Sequence, residues 1–462
     1  MFLKAIVRRT APAALLFAAI SATGFAAQES APKYIFIFLA DGGSLTGLEI
    51  ARSYNRVVHR EGFAVTDKIM REGTLGVLTT HAADSLTTDS AAAATALAAG
   101  CKANIGALGV CADGRRLRTV MEMAREKGLR AALVTTSTVY DASPGAFISH
   151  VAKRKEYDVI LDQYLRAAPD VILGGGREEF VAKDRSERKD GRLAAFVERG
   201  YVYVADKSGL ARAAGNKLLG LFTPGEMNFD LDREPEEPSL FDMTQATIKF
   251  LGRDGRGFMA FIEDENTDTA GHFTDVASMI HAYRDFDRAV ALAYDFYLGH
   301  PRETLILVTS DHDSGGVGFT LALDEPRSDA KRVSANENDL KKIASIPMSL
   351  RKAAAMLGAR PTPEGIDRLM REVFKGFTLA PDLKKMLLAG QVPMRNIYTD
   401  PIANVLGLMV AHNTQAYWTA SGHTNQPVFV AALGAGAERF RGYQDNTDFA
   451  KNLFSLLGAN SK

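Results

Sequence analysis

The chain has 462 residues, of which 46% are hydrophobic and 24% are charged, a composition typical of a soluble globular protein. Lysine plus arginine and aspartate plus glutamate each number 55, so the formal net charge is zero. That balance argues against a polybasic protein that binds nucleic acid or a membrane surface through charge alone.

The first residues show the succession of basic, apolar and small-residue segments that is typical of a secretory signal peptide. Three basic residues precede an apolar run over 11–20, and small residues follow it. The run is too short to span a bilayer comfortably, and no later stretch reaches the necessary ~20 apolar residues. We therefore expect a signal peptide over 1–26, with a cut after Ala27 as the close alternative. The mature protein is expected to be periplasmic or secreted, without a membrane anchor.

Short, nearly continuous apolar runs recur along the chain and predict strands that helices cover on both faces. The predicted strands are 34–40, 131–134, 171–173, 258–262, 304–308 and 428–433. Helical patterns lie between them, among them 118–127, 241–251 and 277–297. This alternation predicts an α/β fold, a three-layer α/β/α sandwich around a largely parallel central sheet.

Residues 324–420 have a different pattern. Thr362-Pro363 forms an N-cap and a first-turn proline ahead of apolar residues at helical spacing, and a second short helix is predicted over 382–388. We expect a helical insertion here, within one domain that spans 27–462.

An alanine-rich helix is predicted to begin at or just after Ser90. Asp89 or Ser90 would be the N-cap, and alanine is the best helix former. The hydroxyl of Ser90 would lie beside free backbone N–H groups, a natural phosphate site. An N-capped core helix without chemistry explains this stretch equally well.

Acidic and histidine side chains stand at the ends of several predicted strands. They are Asp41, then Glu263 with Asp268 and His272, then Asp311 with His312, and finally His423 ahead of the last strand. Ligands of open α/β sheets bind outside the carboxyl ends of the strands. One by one these residues could be turns, surface pairs or core histidines, but four such coincidences at strand ends favour a shared site.

The residue types suit two zinc sites. Asp268, His272 and His423 could form one, and Asp41, Asp311 and His312 the other, while Glu263 with Asp41 and a hydroxyl suits Mg²⁺. Two nearby metals can hold both the attacking and the leaving oxygen of a phosphoryl transfer. The two cysteines, Cys101 and Cys111, are too few for a thiolate zinc site; they could form a disulfide or be small buried hydrophobes.

Motifs in register over nearly all of the mature length resemble those of the alkaline phosphatases. The matching residues are Asp41-Gly42, Asp89-Ser90-Ala91 with Thr95-Ala96, Asp141-Ala142-Ser143-Pro144, Arg154, Glu263 through Asp268 to His272, Asp311-His312 and His423-Thr424. One motif would be weak evidence, but seven in order make the resemblance specific. Asp264 and Glu265 depart from it, since small or neutral residues are usual there, and the added charge could alter metal preference or the pH optimum.

The resemblance implies a role for each matching position. Ser90 would be the nucleophile that forms a phosphoserine, and Arg154 would clamp two phosphate oxygens. The two sets named above would bind two Zn²⁺, and Asp41, Ser143 and Glu263 one Mg²⁺, with Asp141 reaching it through water. Asp89 would either orient Arg154 or cap the helix.

The expected activity is therefore hydrolysis of phosphate monoesters, and the resemblance also implies a homodimer. One alternative is a phosphodiesterase of the same superfamily, which usually has a threonine nucleophile. The other is an exported phosphate- or metal-binding protein without catalysis, which would not need a nucleophile aligned with an arginine.

Overall fold

A computed structural model describes residues 31–181, 191–323, 331–392 and 397–458. The expected signal peptide over 1–26 and parts of the 324–420 segment lie outside these residues. The strands of the described part are β1 (Tyr34–Ala40), β2 (Thr74–Leu78), β3 (Arg130–Thr138), β4 (Val171–Gly175), β5 (Tyr201–Val204), β6 (Lys217–Leu221), β7 (Phe258–Asp264), β8 (Thr304–Thr309), β9 (Asp313–Ser314), β10 (Val317–Phe319), β11 (Leu321–Leu323), β12 (Arg332–Ser334), β13 (Ala416–Trp418), β14 (His423–Thr424), β15 (Val428–Gly434) and β16 (Gly442–Gln444).

Helices alternate with these strands. The α-helices are α1 (Leu45–Tyr54), α2 (Ser90–Ala99), α3 (Val120–Glu126), α4 (Ala142–Ala146), α5 (Tyr157–Ala167), α6 (Arg192–Glu198), α7 (Lys207–Arg212), α8 (Leu240–Leu251), α9 (Asn266–His272), α10 (Val276–Gly299), α11 (Glu337–Ile343), α12 (Leu350–Leu357), α13 (Pro363–Glu372), α14 (Pro381–Ala389), α15 (Pro401–Thr414) and α16 (Asn446–Leu456). Two π-helical segments follow α1, at Asn55–His59 and Val65–Met70, and single 3-10 turns lie at Arg177–Glu179, Gly252–Asp254 and Ala437–Phe440.

Ten strands form the central sheet, in the order β16-β2-β15-β8-β1-β7-β3-β4-β6-β5. Only β15 runs against its neighbours, β2 and β8; every other described pair in this sheet is parallel. The prediction of a largely parallel sheet is confirmed.

Each face of the sheet carries its own hydrophobic core, as the central strand β1 illustrates. Phe36 and Phe38 belong to one buried cluster, whereas Ile35, Ile37 and Leu39 belong to the other. Successive side chains of a strand point to opposite faces, so a strand covered on both sides is apolar at every position. The three-layer α/β/α sandwich predicted from such runs is confirmed.

The six predicted strands all lie in this sheet, but the prediction missed four others, namely β2, β5, β6 and β16. β2 alternates between buried and exposed positions, and β16 is short and mostly exposed. Neither has the continuous apolar run of a doubly covered strand. The predicted end of β3 was also four residues short, and the missing part, 135–138, carries hydroxyl groups to the site described below.

Further helices, α11 to α15, and the short strands β12 and β13 occupy the described parts of 324–420. β13 pairs with β10, which follows the central strand β8, so this segment is joined to the main domain by hydrogen bonds. Cys101 and Cys111 form a disulfide just beyond α2. Among the described helices we find none whose length and hydropathy would let it cross a membrane.

Candidate metal and phosphate site

Three adjacent strands end where the predicted acidic and histidine residues stand. β8, β1 and β7 are parallel neighbours, so their carboxyl ends meet at one edge of the sheet. Asp41 directly follows β1, and Glu263 is the penultimate residue of β7. Asp311 and His312 come just after β8. The fold therefore brings four of the predicted residues to one place.

Helix α9 adds two more residues to this edge. Asp268 and His272 lie one turn apart, and the whole helix is buried. Gly42 allows the helix to approach the end of β1, because a Cβ at position 42 would lie 2.6 Å from the Cα of Asp268. Gly42 also has a φ of +64°, a conformation that other residues rarely adopt.

The first cluster consists of Asp268, His272 and His423. The Nε2 atom of His272 lies 3.0 Å from Asp268 Oδ2 and 3.2 Å from His423 Nε2. The Nδ1 atoms point the other way, to the carbonyl oxygens of Ser421 at 2.7 Å and Thr88 at 2.8 Å. Such carbonyl contacts fix the orientation of the rings and leave Nε2 free to bind a metal.

The second cluster consists of Asp41, Asp311 and His312, with Ser90 at its side. The Nε2 atom of His312 lies 3.3 Å from Asp311 Oδ2, 3.5 Å from Asp41 Oδ1 and 3.3 Å from Ser90 Oγ. Asp41 Oδ1 and Asp311 Oδ2 are buried without a hydrogen-bond partner among the described residues. A buried carboxylate oxygen without a donor is costly unless a cation faces it, so these atoms fit a metal ion.

His312 also connects the two clusters. One group of ligand atoms that lie within 4.8 Å of one another belongs to Asp41, Asp311 and His312, and a second belongs to Asp268, His312 and His423. The sequence prediction had placed His272 rather than His312 beside Asp268 and His423. The distances are compatible with both sets. His423 Nε2 lies 3.2 Å from His272 Nε2, and the imidazole of His312 stacks on that of His423 with ring centres 3.8 Å apart.

A group of hydroxyl and carboxylate oxygens lies beside the other carboxylate oxygen of Asp41, Oδ2. The hydroxyl of Ser143 donates to Asp41 Oδ2 at 3.0 Å and also hydrogen-bonds Glu263. Thr135, in the part of β3 that the prediction missed, donates to Glu263 at 2.5 Å. Carboxylate and hydroxyl oxygens are the donors that Mg²⁺ prefers.

Ser90 is the first residue of α2 and is 6% exposed. Asp89 is the N-cap: one carboxylate oxygen accepts from the backbone N–H of Ala92 at 3.0 Å, and both accept from that of Gly106. Its Oδ2 also accepts from Arg154 at 3.3 Å. The sequence left two roles open for Asp89, and the structure shows both: it caps α2 and it holds Arg154.

Arg154 is held from two sides. Besides Asp89, Asp141 accepts from its guanidinium at 3.0 Å, and Asp141 in turn accepts from Ser137 at 2.8 Å. Although burial opposes it, these two aspartates raise the pKa of Arg154, which stays charged. The planar guanidinium is suited to bind two oxygens of a phosphate group.

Burial and mutual repulsion raise the pKa of three carboxylates of the site. Burial, with Asp311 as the next cause, raises the pKa of Asp41 well above its usual range. Burial and Asp268 raise the pKa of Asp311 to about 7, and burial with repulsion from Asp141 raises that of Glu263 to about 8. Burial and the neighbouring His423 lower the pKa of His312. A neutral His312 among closely spaced acids forms a site that a cation stabilises.

Several contacts were not predicted from the sequence. Ser314 hydrogen-bonds Asp268, and Thr267 donates to the carbonyl of Asp41. The ring of Tyr398 stacks on the imidazole of His272 with centres 3.9 Å apart. Tyr398 comes from the 324–420 segment, where no motif distinguishes it, and only the fold brings it to the site.

Comparison with known proteins finds that the chain is similar to one family. A family model described as Alkaline phosphatase matches residues 32–459. Alkaline phosphatase 3 of Bacillus subtilis (strain 168) is 33% identical over 393 residues, which cover 81% of this chain and 78% of that protein.

Solved structures give the same result. Thermus thermophilus alkaline phosphatase superposes with a TM-score of 0.83 at 26% identity, covering 97% of each chain. A cold-active alkaline phosphatase from the psychrophile Shewanella sp. superposes with a TM-score of 0.76 at 28% identity, covering 92% of this chain and all of that one.

Proposed function

Because this chain belongs to the alkaline phosphatase family and is therefore a phosphatase that hydrolyses phosphate monoesters, we propose that it acts through a phosphoserine formed on Ser90. The observation that supports this most directly is the position of the Ser90 hydroxyl. It lies at the start of a buried helix, 3.3 Å from the Nε2 atom of His312, which in turn lies 3.3 Å from Asp311 Oδ2.

The proposed reaction has two halves. The Ser90 oxygen bonds to phosphorus while the bond between phosphorus and the alcohol oxygen breaks, and the alcohol leaves after taking up a proton. Water then attacks the phosphoserine, and inorganic phosphate leaves as the Ser90 hydroxyl is restored. No base in a Ser-His-Asp order is evident in the sequence, so a metal is the expected activator of this weak nucleophile.

Three metal ions fit the donor groups. Two Zn²⁺ would be held by Asp268, His272 and His423 and by Asp41, Asp311 and His312, and one Mg²⁺ by Asp41, Ser143 and Glu263. When bound, these ions supply Lewis-acid charge that makes a hydroxyl nucleophilic near neutral pH and stabilises oxygen anions. Members of this family depend on metals, and the buried oxygens of Asp41 and Asp311, which lack a hydrogen-bond partner among the described residues, support the assignment here.

Arg154 would bind two oxygens of the phosphate, and the start of α2 would face a third. Asp89 and Asp141 position the guanidinium rather than act on the substrate. Asp141 would therefore lie outside the first ligands of the magnesium ion, in agreement with the water-mediated contact that the resemblance implies.

We also propose that the protein is exported as one phosphatase domain over 27–462, with 324–420 as an insertion, and that it forms a homodimer. A disulfide such as Cys101–Cys111 persists in an oxidising compartment, which supports export. N-terminal sequencing of the protein recovered from the periplasm and its mass in solution would test these two proposals.

The test is hydrolysis of a chromogenic phosphate monoester by the mature protein, with and without a chelator. We expect the chelator to abolish turnover and Zn²⁺ with Mg²⁺ to restore it. Ser90→Ala should lower kcat on the order of 10³-fold or more, whereas Ser455→Ala, on the exposed side of α16, should match the wild type. Equal activity of Ser90→Ala would exclude Ser90 as the nucleophile.

The same assay separates the two alternatives. A phosphodiesterase would cleave a chromogenic phosphate diester faster than the monoester. A binding protein would retain phosphate and turn over neither ester with any metal.

A further inference from the structure

One loop connects Arg154 to Asp89, the N-cap residue that holds its guanidinium. The loop runs over 101–111, between α2 and α3, and consists of turns and single β-bridges. The disulfide between Cys101 and Cys111 closes it at the base. A hydrogen bond lies next to the disulfide, from the backbone N–H of Ala112 to the carbonyl oxygen of Lys102 at 3.0 Å. The base of the loop is therefore held by one covalent bond and one hydrogen bond.

Gly106, in the middle of this loop, contacts both Asp89 and Arg154. Its backbone N–H donates to Asp89 Oδ1 at 3.2 Å and to Oδ2 at 3.1 Å. Its carbonyl oxygen accepts from the backbone N–H of Arg154 at 2.7 Å. The two peptide groups of one glycine thus connect the N-cap residue of α2 to the backbone of the arginine, in addition to the ion pair between their side chains.

The segment that leads to Arg154 is bound to the same loop. Val151 and Leu108 exchange two backbone hydrogen bonds of 2.9 Å each. The Nδ1 atom of His150 lies 2.8 Å from the carbonyl oxygen of Gly109. Arg154 itself lies on a turn and not in a helix or a strand. Its position therefore depends on the loop and on its own ion pairs rather than on regular secondary structure.

A buried hydroxyl of α2 binds the other side of the loop. Thr95 is fully buried, and its Oγ1 donates to the carbonyl oxygen of Ala107 at 3.0 Å and accepts from the backbone N–H of Gly109 at 2.9 Å. Thr95 lies in the second turn of the helix that begins with Ser90. The loop therefore connects the helix of the proposed nucleophile to the segment that carries Arg154.

We propose that the disulfide-closed loop over 101–111 positions Arg154 for phosphate binding, so that the disulfide determines how tightly the site binds a phosphate group. The proposal rests on the phosphate-binding role of Arg154 in the proposed function. A cross-link at the base of a loop reduces the conformations that its residues can adopt, and a group that is already ordered loses less entropy when it binds a ligand. Without the disulfide, the hydrogen bond between Ala112 and Lys102 remains at the base, so the loop should loosen rather than unfold.

The experiment measures competitive inhibition by inorganic phosphate, with a chromogenic monoester as substrate and the enzyme loaded with Zn²⁺ and Mg²⁺. Combining Cys101→Ala with Cys111→Ala should raise both the inhibition constant of phosphate and KM about fivefold. The value of kcat should change less than about twofold, because a loss of binding that is equal in the ground state and the transition state raises KM alone. The metal content per chain should stay at the wild-type level.

A double-mutant cycle shows whether the loop acts through Arg154. In an Arg154→Ala background, removal of the disulfide should leave the inhibition constant of phosphate unchanged, because the group that the loop positions is absent. A role of the disulfide in overall stability alone would not produce this difference between the two backgrounds.

Two variants of Thr95 loosen or keep the loop while the disulfide stays intact. Thr95→Val removes the hydroxyl and should raise the inhibition constant about threefold, whereas Thr95→Ser, which keeps it, should retain the wild-type value. Thr362→Ala is the control for stability: it removes the exposed N-cap of α13 and should leave phosphate inhibition unchanged. Thermal melting of each variant shows that it is folded.

The bond can also be broken in the folded wild type, since Cys101 and Cys111 are the two cysteines of the chain. A water-soluble phosphine reduces the disulfide: phosphorus is oxidised and takes its oxygen from water, and each sulfur takes up one hydrogen of that water as a thiol. The appearance of two thiols per chain should accompany the same rise in the inhibition constant, and reoxidation should reverse it.

Three results would contradict this inference. The inhibition constant of phosphate could stay at the wild-type value after loss of the disulfide, or it could rise by the same factor in the Arg154→Ala background. Alternatively, the rise could come with a loss of zinc and disappear in excess Zn²⁺, which would assign the loop to the metal sites. Unchanged inhibition in Arg154→Ala with the disulfide intact would instead refute the phosphate-binding role of Arg154 in the proposed function.

Discussion

Two neighbouring helices begin in the same way, but the proposed chemistry lies at only one of them. α2 and α16 pack side by side, and each starts after an aspartate whose carboxylate accepts a backbone hydrogen bond from the first turn. Each aspartate also contacts a cation: Arg154 lies 3.3 Å from Asp89, and Lys102 lies 3.1 Å from Asp445.

The difference lies in what faces the start of each helix. α2 begins at the carboxyl ends of the central strands, so Ser90 meets His312 and the carboxylates around it. α16 follows the edge strand β16, and its capping Asp445 meets Thr79 instead. A capped helix N-terminus therefore interacts favourably with anions in general. Its position relative to the central sheet determines whether it takes part in catalysis.

Replacing His312 should have the largest effect on activity, because it removes the imidazole that faces the start of α2 and that the start of α16 lacks. We expect His312→Ala to lower kcat by at least about 10³-fold and to reduce the bound zinc, since its Nε2 contacts both clusters. Zinc per chain and chromogenic ester turnover are the measurements. His300→Ala, at the protein surface, serves as the control. Full zinc content and activity in His312→Ala would refute the shared ligand.

The buried carboxylates of the site should make the metal-free protein sensitive to pH. Asp41, Asp311 and Glu263 bind protons more tightly in the folded than in the unfolded chain. Their stabilising contribution is therefore complete below their ordinary pKa values near 4 and is lost as the pH rises to about 8.

We expect the metal-free protein to lose on the order of 3 kcal/mol of stability between pH 5 and 8.5 relative to the metal-loaded protein. Chemical unfolding with and without Zn²⁺ and Mg²⁺ measures this difference. A constant difference over that range would contradict the raised pKa values of these three acids.

Asp89→Asn separates the two tasks of the cap residue. Asparagine is an equally good N-cap, so stability should change little, but the charge that holds Arg154 is lost. We expect kcat/KM to fall about 30-fold, with weaker inhibition by inorganic phosphate, because the guanidinium is no longer held in place. Unchanged phosphate inhibition would mean that, of the two aspartates, Asp141 alone positions Arg154.

The equivalent change in α16 should affect stability only. Burial opposes it, but hydrogen bonds from Thr447, Thr79 and Lys102 hold the pKa of Asp445 below its usual range. Asp445→Asn should cost about 1 kcal/mol at neutral pH, a cost that disappears as acid protonates the wild-type carboxylate. Activity should stay at the wild-type level. A loss of turnover in this variant would contradict the contrast between the two helices.

The sequence predicts the centre of the site better than its surroundings. Asp41 directly follows the buried apolar strand β1, and Asp311 and His312 come just after β8, so residue type and strand end are enough to bring them together. Asp89 and Arg154 are 65 residues apart, and no local pattern indicates that they touch.

The sequences of loops and edge strands predict still less about their position in the fold. Tyr398 stands outside any periodic pattern, and its contact with His272 follows from the path of the whole chain. The half-exposed strand β2 was missed because only its alternate residues are buried.

The most direct test of the account is to trap the phosphorylated enzyme. The metal-loaded protein is mixed with a phosphate monoester, quenched in acid, digested and analysed by mass spectrometry. We predict one added phosphoryl group on the peptide that contains Ser90, and none in a sample of Ser90→Ala treated in the same way. Rapid turnover without phosphate on that peptide, or phosphate on another residue of the active wild type, would contradict the proposed mechanism.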